Sequence, residues 1–183
     1  MAAVAENLLA LPATETRHRL RDGAVVLVRP ARRSDEQAIY SFLSRVSFDS
    51  LWTRFFGVPS LGRTARSLVA LADGDFGLVA ESGREIVAHA ACLRTGPAEA
   101  EVAFLVLDSW QGRGIGTLLL SRLAELAAQA GFDVLGADVL ASNHRMLSVF
   151  ARSGLTPEFR QTSDSVKVRL TAAPGACALA DAA

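Results

Sequence analysis

The spacing of apolar positions changes period twice along this chain. A short β-rich run over residues 25–29 follows the turn signal Arg21-Asp22-Gly23 and ends at Pro30. Over 35–44 the apolar residues Ala38, Ile39, Phe42 and Leu43 fall on one face, which predicts a helix. Ser34 precedes Asp35 and Glu36 and reads as its N-cap, with acidic residues in the first turn. Two more helices are predicted, over 48–56 and 64–71, closed by Gly57 with Pro59 and by Ala72-Asp73-Gly74.

The pattern then shifts to strands. Runs over 76–81 and 85–93 flank the hairpin signal Ser82-Gly83-Arg84, and Gly96-Pro97 turns the chain into a third run over 100–107. Three such runs in sequence predict an antiparallel meander. Helical spacing returns over 115–130, with Ile115, Leu118, Leu119, Leu123, Leu126 and Ala127 on one face, Thr117, Arg122 and Glu125 on the other, and Gly131 as terminator. A strand over 134–140, a helix over 143–152 closed by Gly154, and strands over 155–160 and 166–170 complete the chain. The order β, helices, βββ, α, β, α, ββ predicts a mixed α/β domain. Residues 1–16 are Ala-rich without a period and read as a loose arm, 17–171 as a single domain, and 172–183 as a frayed tail.

Composition narrows the function classes. The chain has 183 residues, half of them apolar, with 19 basic and 19 acidic side chains. This is a globular composition with length for a full core. Zero formal net charge argues against a general nucleic-acid binder, which needs a cationic excess. Cys92 and Cys177 are far apart and imply no disulfide framework, which fits a reducing compartment. There is no run long enough to span a membrane, and the apolar patch at Leu8, Leu9 and Leu11 lacks the basic flank of a signal peptide. The expectation is a soluble cytoplasmic protein. His18, His89 and His144 have no metal-ligand spacing, so no metal is expected. His89 and Cys92 read as core residues.

The chemistry is concentrated in Gln111-Gly112-Arg113-Gly114-Ile115-Gly116-Thr117, between a strong strand and a strong helix. Glycines at alternate positions allow successive N–H groups to point into one concavity at a helix N-terminus, a nest for phosphate oxygens. A P-loop would need Gly-Lys-Ser/Thr, and the single Lys, Lys167, is elsewhere. A dinucleotide fingerprint would need Gly at position 117, which is Thr.

At this point the sequence resembles the GNAT superfamily of acyl-CoA-dependent N-acyltransferases. Residues 111–116 match its Q/R-x-x-G-x-G/A motif, and the segment from Asn143 through Met146, Phe150, Gly154 and Leu155 matches N-x-x-A/M-x-x-x-Y/F-x-x-x-G-F/L. Upstream, Leu20-Arg21-Asp22-Gly23, Val28-Arg29-Pro30, Ser47 and Arg54-Phe55-Phe56-Gly57 resemble the GNAT domain of Pat-type bacterial protein lysine acetyltransferases. The resemblance implies a central, mostly antiparallel mixed sheet flanked by helices.

It also implies roles. Gln111, Gly112, Arg113, Gly114, Ile115, Gly116 and Thr117 would hold the pyrophosphate of acetyl-CoA. Leu105, Val106 and Leu107 would pair their backbone with its pantetheine arm like an added strand. Asn143 and Phe150 would contact the arm from the other side, although a helix cap and a core aromatic are their plainer readings. Glu101 is the leading general base, in an otherwise apolar strand where burial would raise its pKa. Asp138 is the second candidate. Backbone N–H groups near the end of the strand over 100–107 would stabilise the oxyanion. Many family members have Tyr where this chain has Phe150, so the general acid is unassigned.

The expected activity is acetyl transfer from acetyl-CoA to an amine, first a protein lysine. A small amine and a non-catalytic CoA-binding module are the alternatives. No nucleic-acid or membrane partner is implied. Arg29, Arg32 and Arg33 read as a solvated cluster, with contact to the CoA 3′-phosphate or to an acidic protein partner as the sharper reading. Trp52, Phe55 and Phe56 read as core, with acceptor-site wall as the alternative.

Overall fold

The computed structural model describes residues 15–171, so the expected tail and most of the expected arm lie outside the described residues. Eight strands form one sheet in the order β1-β2-β3-β4-β5-β6-β8-β7. They are β1 Thr16–Arg19, β2 Val25–Pro30, β3 Phe76–Ser82, β4 Glu85–Arg94, β5 Glu99–Val106, β6 Val134–Leu140, β7 Thr156–Gln161 and β8 Ser165–Thr171. Five α-helices flank it among the described residues: α1 Glu36–Leu43, α2 Phe48–Phe55, α3 Leu61–Val69, α4 Ile115–Gln129 and α5 His144–Ala151. The fold is mixed α/β, as the element order predicted. All strand pairs are antiparallel except β5 with β6.

The two faces of the sheet are covered by different helices. Phe104 of β5 meets Phe150 of α5 edge-on, with ring centroids 6.1 Å apart. Its neighbour Leu105 points to the opposite face, where its cross-strand partner His89 bonds the backbone of Leu68 in α3. Central β4 is buried along nearly its whole length between these layers. Leu119, Leu120 and Leu123 of α4 are fully buried in the core. The sheet half formed by β6, β8 and β7 differs. On β8, Val166, Val168 and Leu170 are buried while Lys167 and Arg169 are exposed, so one of its faces meets solvent.

Several expectations are corrected. Ser34 does not cap α1. The chain enters α1 through a 3₁₀ turn, Arg33–Asp35, and the Asp35 carboxylate accepts from the Arg32 N–H at 2.7 Å. Arg29 is not solvated: it is buried, donating to both Asp35 oxygens at 2.7 and 2.9 Å and to Glu81. Burial drives the Asp35 carboxyl up, but hydrogen bonds from Arg29 and the Arg32 N–H outweigh it and hold it low. Arg32 pairs with Glu15. Trp52 and Phe56 are not core; both are about half exposed, as is Phe48, while Phe55 packs partly buried against the core. β1 gave no signal, because Thr-Arg-His-Arg lacks apolar alternation and the strand pairs only with β2.

Candidate active site

The site forms where β5 and β6 part. They are joined only at Glu99–Val134, Ala100–Leu135 and Glu101–Gly136, although β5 continues to Val106 and β6 to Leu140. Beyond that point the strands diverge and leave a fork. The Leu107 N–H donates to the Val87 carbonyl of β4 at 2.9 Å. Because backbone groups alternate sides in an antiparallel pair, Leu105 and Leu107 turn their polar groups to β4, while Phe104 and Val106 turn theirs into the fork. Of the expected trio Leu105, Val106 and Leu107, only Val106 therefore turns its backbone there, and its N–H is the group left open to a ligand, since Gln111 bonds its carbonyl. Phe104 was missed, and counting alternation from the strand end would have found it.

The glycine loop crowns the fork, and its glycines have distinct jobs. Gly112 and Gly114 adopt φ of 76° and 97°, the left-handed region open to glycine. Gly116 lies in the first turn of α4, where a Cβ would sit 3.3 Å from Val149 Cγ2 of α5. It serves helix packing rather than loop curvature, which corrects the reading of all three as one nest. The N–H groups of Ile115, Gly116 and Thr117 precede the first intrahelical bond, from the Leu118 N–H to Gly114, and are oriented for an anion.

Polar side chains brace this loop. Gln111 Nε2 donates to the Val106 carbonyl at 3.1 Å and to Ser50 Oγ at 3.2 Å, and Gln111 Oε1 accepts from Arg145 at 2.8 Å. Asp108, missed in the sequence, accepts from the Ser47 N–H, Ser47 Oγ and Ser50 Oγ at 2.7–2.9 Å. Burial drives its carboxyl up, but these donors outweigh burial and hold it low. The N-terminus of α2 is thereby tied to the end of β5. Arg113 donates to Asp22 at 2.8 Å and to the Ser109 carbonyl at 2.7 Å, and lies 4.7 Å over the Trp110 ring.

Asn143 caps α5, its Oδ1 accepting from the Met146 N–H at 3.1 Å. Phe150 is fully buried behind Phe104, in the core position that was its plainer reading.

The carboxylates occupy the other side of the fork. Glu101 belongs to the last β5–β6 pair and points to the face shared with Leu105 and His89. It is exposed, which corrects the expectation of a buried, desolvated base. Its carboxylate has no hydrogen bond among the described residues, and its charge attracts the guanidinium of Arg54 in α2. Burial lowers the pKa of Arg54, and Glu101 opposes that shift. By register Asp138 lies two residues past Gly136 on the same open face, across from Lys167. Glu99 is paired with Arg169 at 3.4 Å.

Deeper on this face, burial first and Arg54 second push the pKa of His89 down to about 4, so it is neutral near pH 7 with Nε2 unpartnered. Cys92 is fully buried, and burial pushes its thiol up to about 12, which leaves it no nucleophilic role.

A fork with free strand backbone, an anion nest at its mouth and a carboxylate at its base suit a ligand with a phosphate end and an extended amide arm. Known proteins resemble this chain in sequence and fold. Residues 45–155 match the acetyltransferase (GNAT) family. An acetyltransferase of Pseudomonas aeruginosa is 31% identical over 160 residues, covering 81% of this chain and 84% of that protein. Acetyltransferase Pat of Mycolicibacterium smegmatis is 29% identical over 163 residues, covering 84% of this chain and 48% of Pat, so the chain spans about half that relative. The crystal structure of the GNAT domain of S. lividans PAT superposes with a TM-score of 0.78 at 31% identity, covering 86% of this chain and 96% of that one. The chain belongs to the GNAT family of acetyltransferases.

Proposed function

We propose that this acetyltransferase moves the acetyl group of acetyl-CoA to the side-chain amine of a protein lysine, with Glu101 as general base. The observation that carries the reading is the parting of β5 and β6 immediately beyond Glu101–Gly136, beneath the glycine loop. In this reading the loop N–H groups and the N-terminus of α4 hold the pyrophosphate. The pantetheine arm lies in the fork against the Val106 N–H and the Phe104 carbonyl, with Asn143 on the α5 side.

The acceptor arrives from the face with Glu101. A protonated amine has no lone pair, so Glu101 takes a proton as nitrogen attacks the thioester carbon. The C–N bond forms, and the carbonyl electrons collect on an oxygen that accepts from the Phe104 N–H, the fork-facing donor nearer Glu101. They then return to expel sulfur, and nitrogen loses its second proton to solvent. CoA departs as a thiolate or takes its proton from water, since Phe150 has no hydroxyl to offer.

A macromolecular acceptor is supported by the openness of this face. Glu101, Asp138, Lys167 and Arg169 share it and are all exposed. The similarity to the Pat proteins points the same way. The test is mass spectrometry of a cell lysate incubated with the protein and isotopically labelled acetyl-CoA. Labelled acetyl groups on lysine side chains support the reading. Label confined to small amines overturns the lysine acceptor, and acetyl-CoA binding without any transfer overturns catalysis.

A further inference from the structure

Beside the glycine loop, on the side away from α5, lies an open pocket of about 210 Å³ between the β1–β2 turn and the start of α4. Its lining includes His18, Arg19, Arg21, Arg113, Gly114 and Thr117. The turn is firmly held. The Leu20 N–H donates to the Ala24 carbonyl at 2.7 Å, the Gly23 N–H to the Leu20 carbonyl at 3.0 Å, and the Leu20 side chain is buried. Arg19 and Arg21 flank that anchor, and Arg21 Nε lies 3.8 Å from where a Cβ on Gly114 would stand. Its guanidinium therefore sits against the left-handed loop residue.

The charges here are unbalanced. The one carboxylate of the turn, Asp22, is already used by the Ala24 N–H and by Arg113. Neither Arg19 nor Arg21 has an ion pair or side-chain hydrogen bond among the described residues. Two exposed guanidinium groups without counter-ions among the described residues stand beside an anion nest and offer a site for a second phosphoryl group.

We propose that Arg21, assisted by Arg19, binds the 3′-phosphate of CoA in this pocket and makes the protein prefer CoA over its 3′-dephospho form. This rests on the acetyl-CoA reading above. It assigns a binding function to the β1–β2 turn, which is remote in sequence from the glycine motif. CoA carries its 3′-phosphate on the ribose next to the pyrophosphate. A pocket adjoining the pyrophosphate nest is where that group falls if the nucleotide end turns away from α5.

The experiment is calorimetric titration of the full chain with acetyl-CoA and with acetyl-3′-dephospho-CoA at low salt, for the native protein, Arg21→Gln and Arg21→Lys. The native protein is expected to bind acetyl-CoA about tenfold more tightly than the dephospho form, the scale of a charge-assisted contact. Arg21→Gln should lose most of that preference by weakening acetyl-CoA alone, and Arg21→Lys should keep part of it. Equal binding of both ligands by the native protein, or an equal loss for both in Arg21→Gln, overturns the proposal while leaving the acetyl-CoA reading intact. An unchanged preference in Arg21→Gln together with an Arg21-dependent affinity for inorganic phosphate would assign the pocket to free phosphate and overturn it as well. Binding of neither ligand by the native protein would overturn the acetyl-CoA reading itself and this proposal with it.

Discussion

Glu101 of β5 lies directly across from Gly136 of β6 in the last residue pair that joins these strands. A glycine opposite the carboxylate leaves no β6 side chain directly beside it. A Cβ on Gly136 would meet only the Ala100 and Val168 carbonyl oxygens, each at the ordinary contact distance of 3.9 Å. The backbone thus accepts a side chain there, and the open face beside Glu101 receives it.

Replacing Gly136 with leucine should lower kcat/KM for the acceptor by about tenfold or more, because a displaced reactant loses its attack geometry. Acetyl-CoA affinity should be little changed. Steady-state kinetics with each substrate varied, alongside calorimetry with acetyl-CoA, checks the split.

The loop glycines should separate binding from stability. Gly114→Ala forces an L-residue to hold φ of 97°, at a cost of about 1–2 kcal/mol, and should weaken acetyl-CoA binding by about tenfold. Gly116→Val places its Cβ against Val149 of α5 and should reduce folding stability by about 1–3 kcal/mol through overpacking. Urea melts with and without acetyl-CoA distinguish the two effects.

The differing roles of these glycines also mark how far the sequence could be read. Their spacing indicated a phosphate loop, but the packing role of Gly116 depends on Val149 in another helix. The strand over 134–140 coincides with β6, and the helix over 115–130 is α4 to within one residue, because both have long, uninterrupted periodicity. The exposure of Glu101 could have been read from alternation, since Glu99 and Glu101 share one strand face while Ala100 and Val102 share the other. Neighbouring apolar residues say little about which face a helix covers. The cap at α1 was misread because Asp35 is claimed by Arg29, which β2 brings alongside it. Arg19 and Arg21 at the loop were invisible, since tertiary folding alone joins β1 to α4.

Stability should fall with acidity in a window set by His89. Its folded pKa, about 4, is below the unfolded value of about 6.5. Between those values the unfolded chain binds a proton that the folded chain refuses, so stability declines as pH drops from about 6.5 to 4, by up to about 3 kcal/mol. His89→Leu should flatten this part of the curve, measured by urea unfolding at several pH values.

A second acid-sensitive element lies at Arg29. The Asp35 carboxyl is held low, so its contribution is present above the unfolded value near 3.9 and is lost as pH falls through the lower folded value. At neutral pH, Asp35→Ala leaves the buried guanidinium with Glu81 as its one remaining carboxylate and should cost about 3 kcal/mol or more. Thermal and urea denaturation of this variant would show it.

The most direct test of the account is the turnover of Glu101→Gln, followed by thiol release from acetyl-CoA with a lysine-bearing protein acceptor over a range of pH. General-base catalysis predicts kcat reduced by about 10²–10⁴-fold with acetyl-CoA affinity unchanged. A kcat close to that of the native protein across the pH range would contradict it.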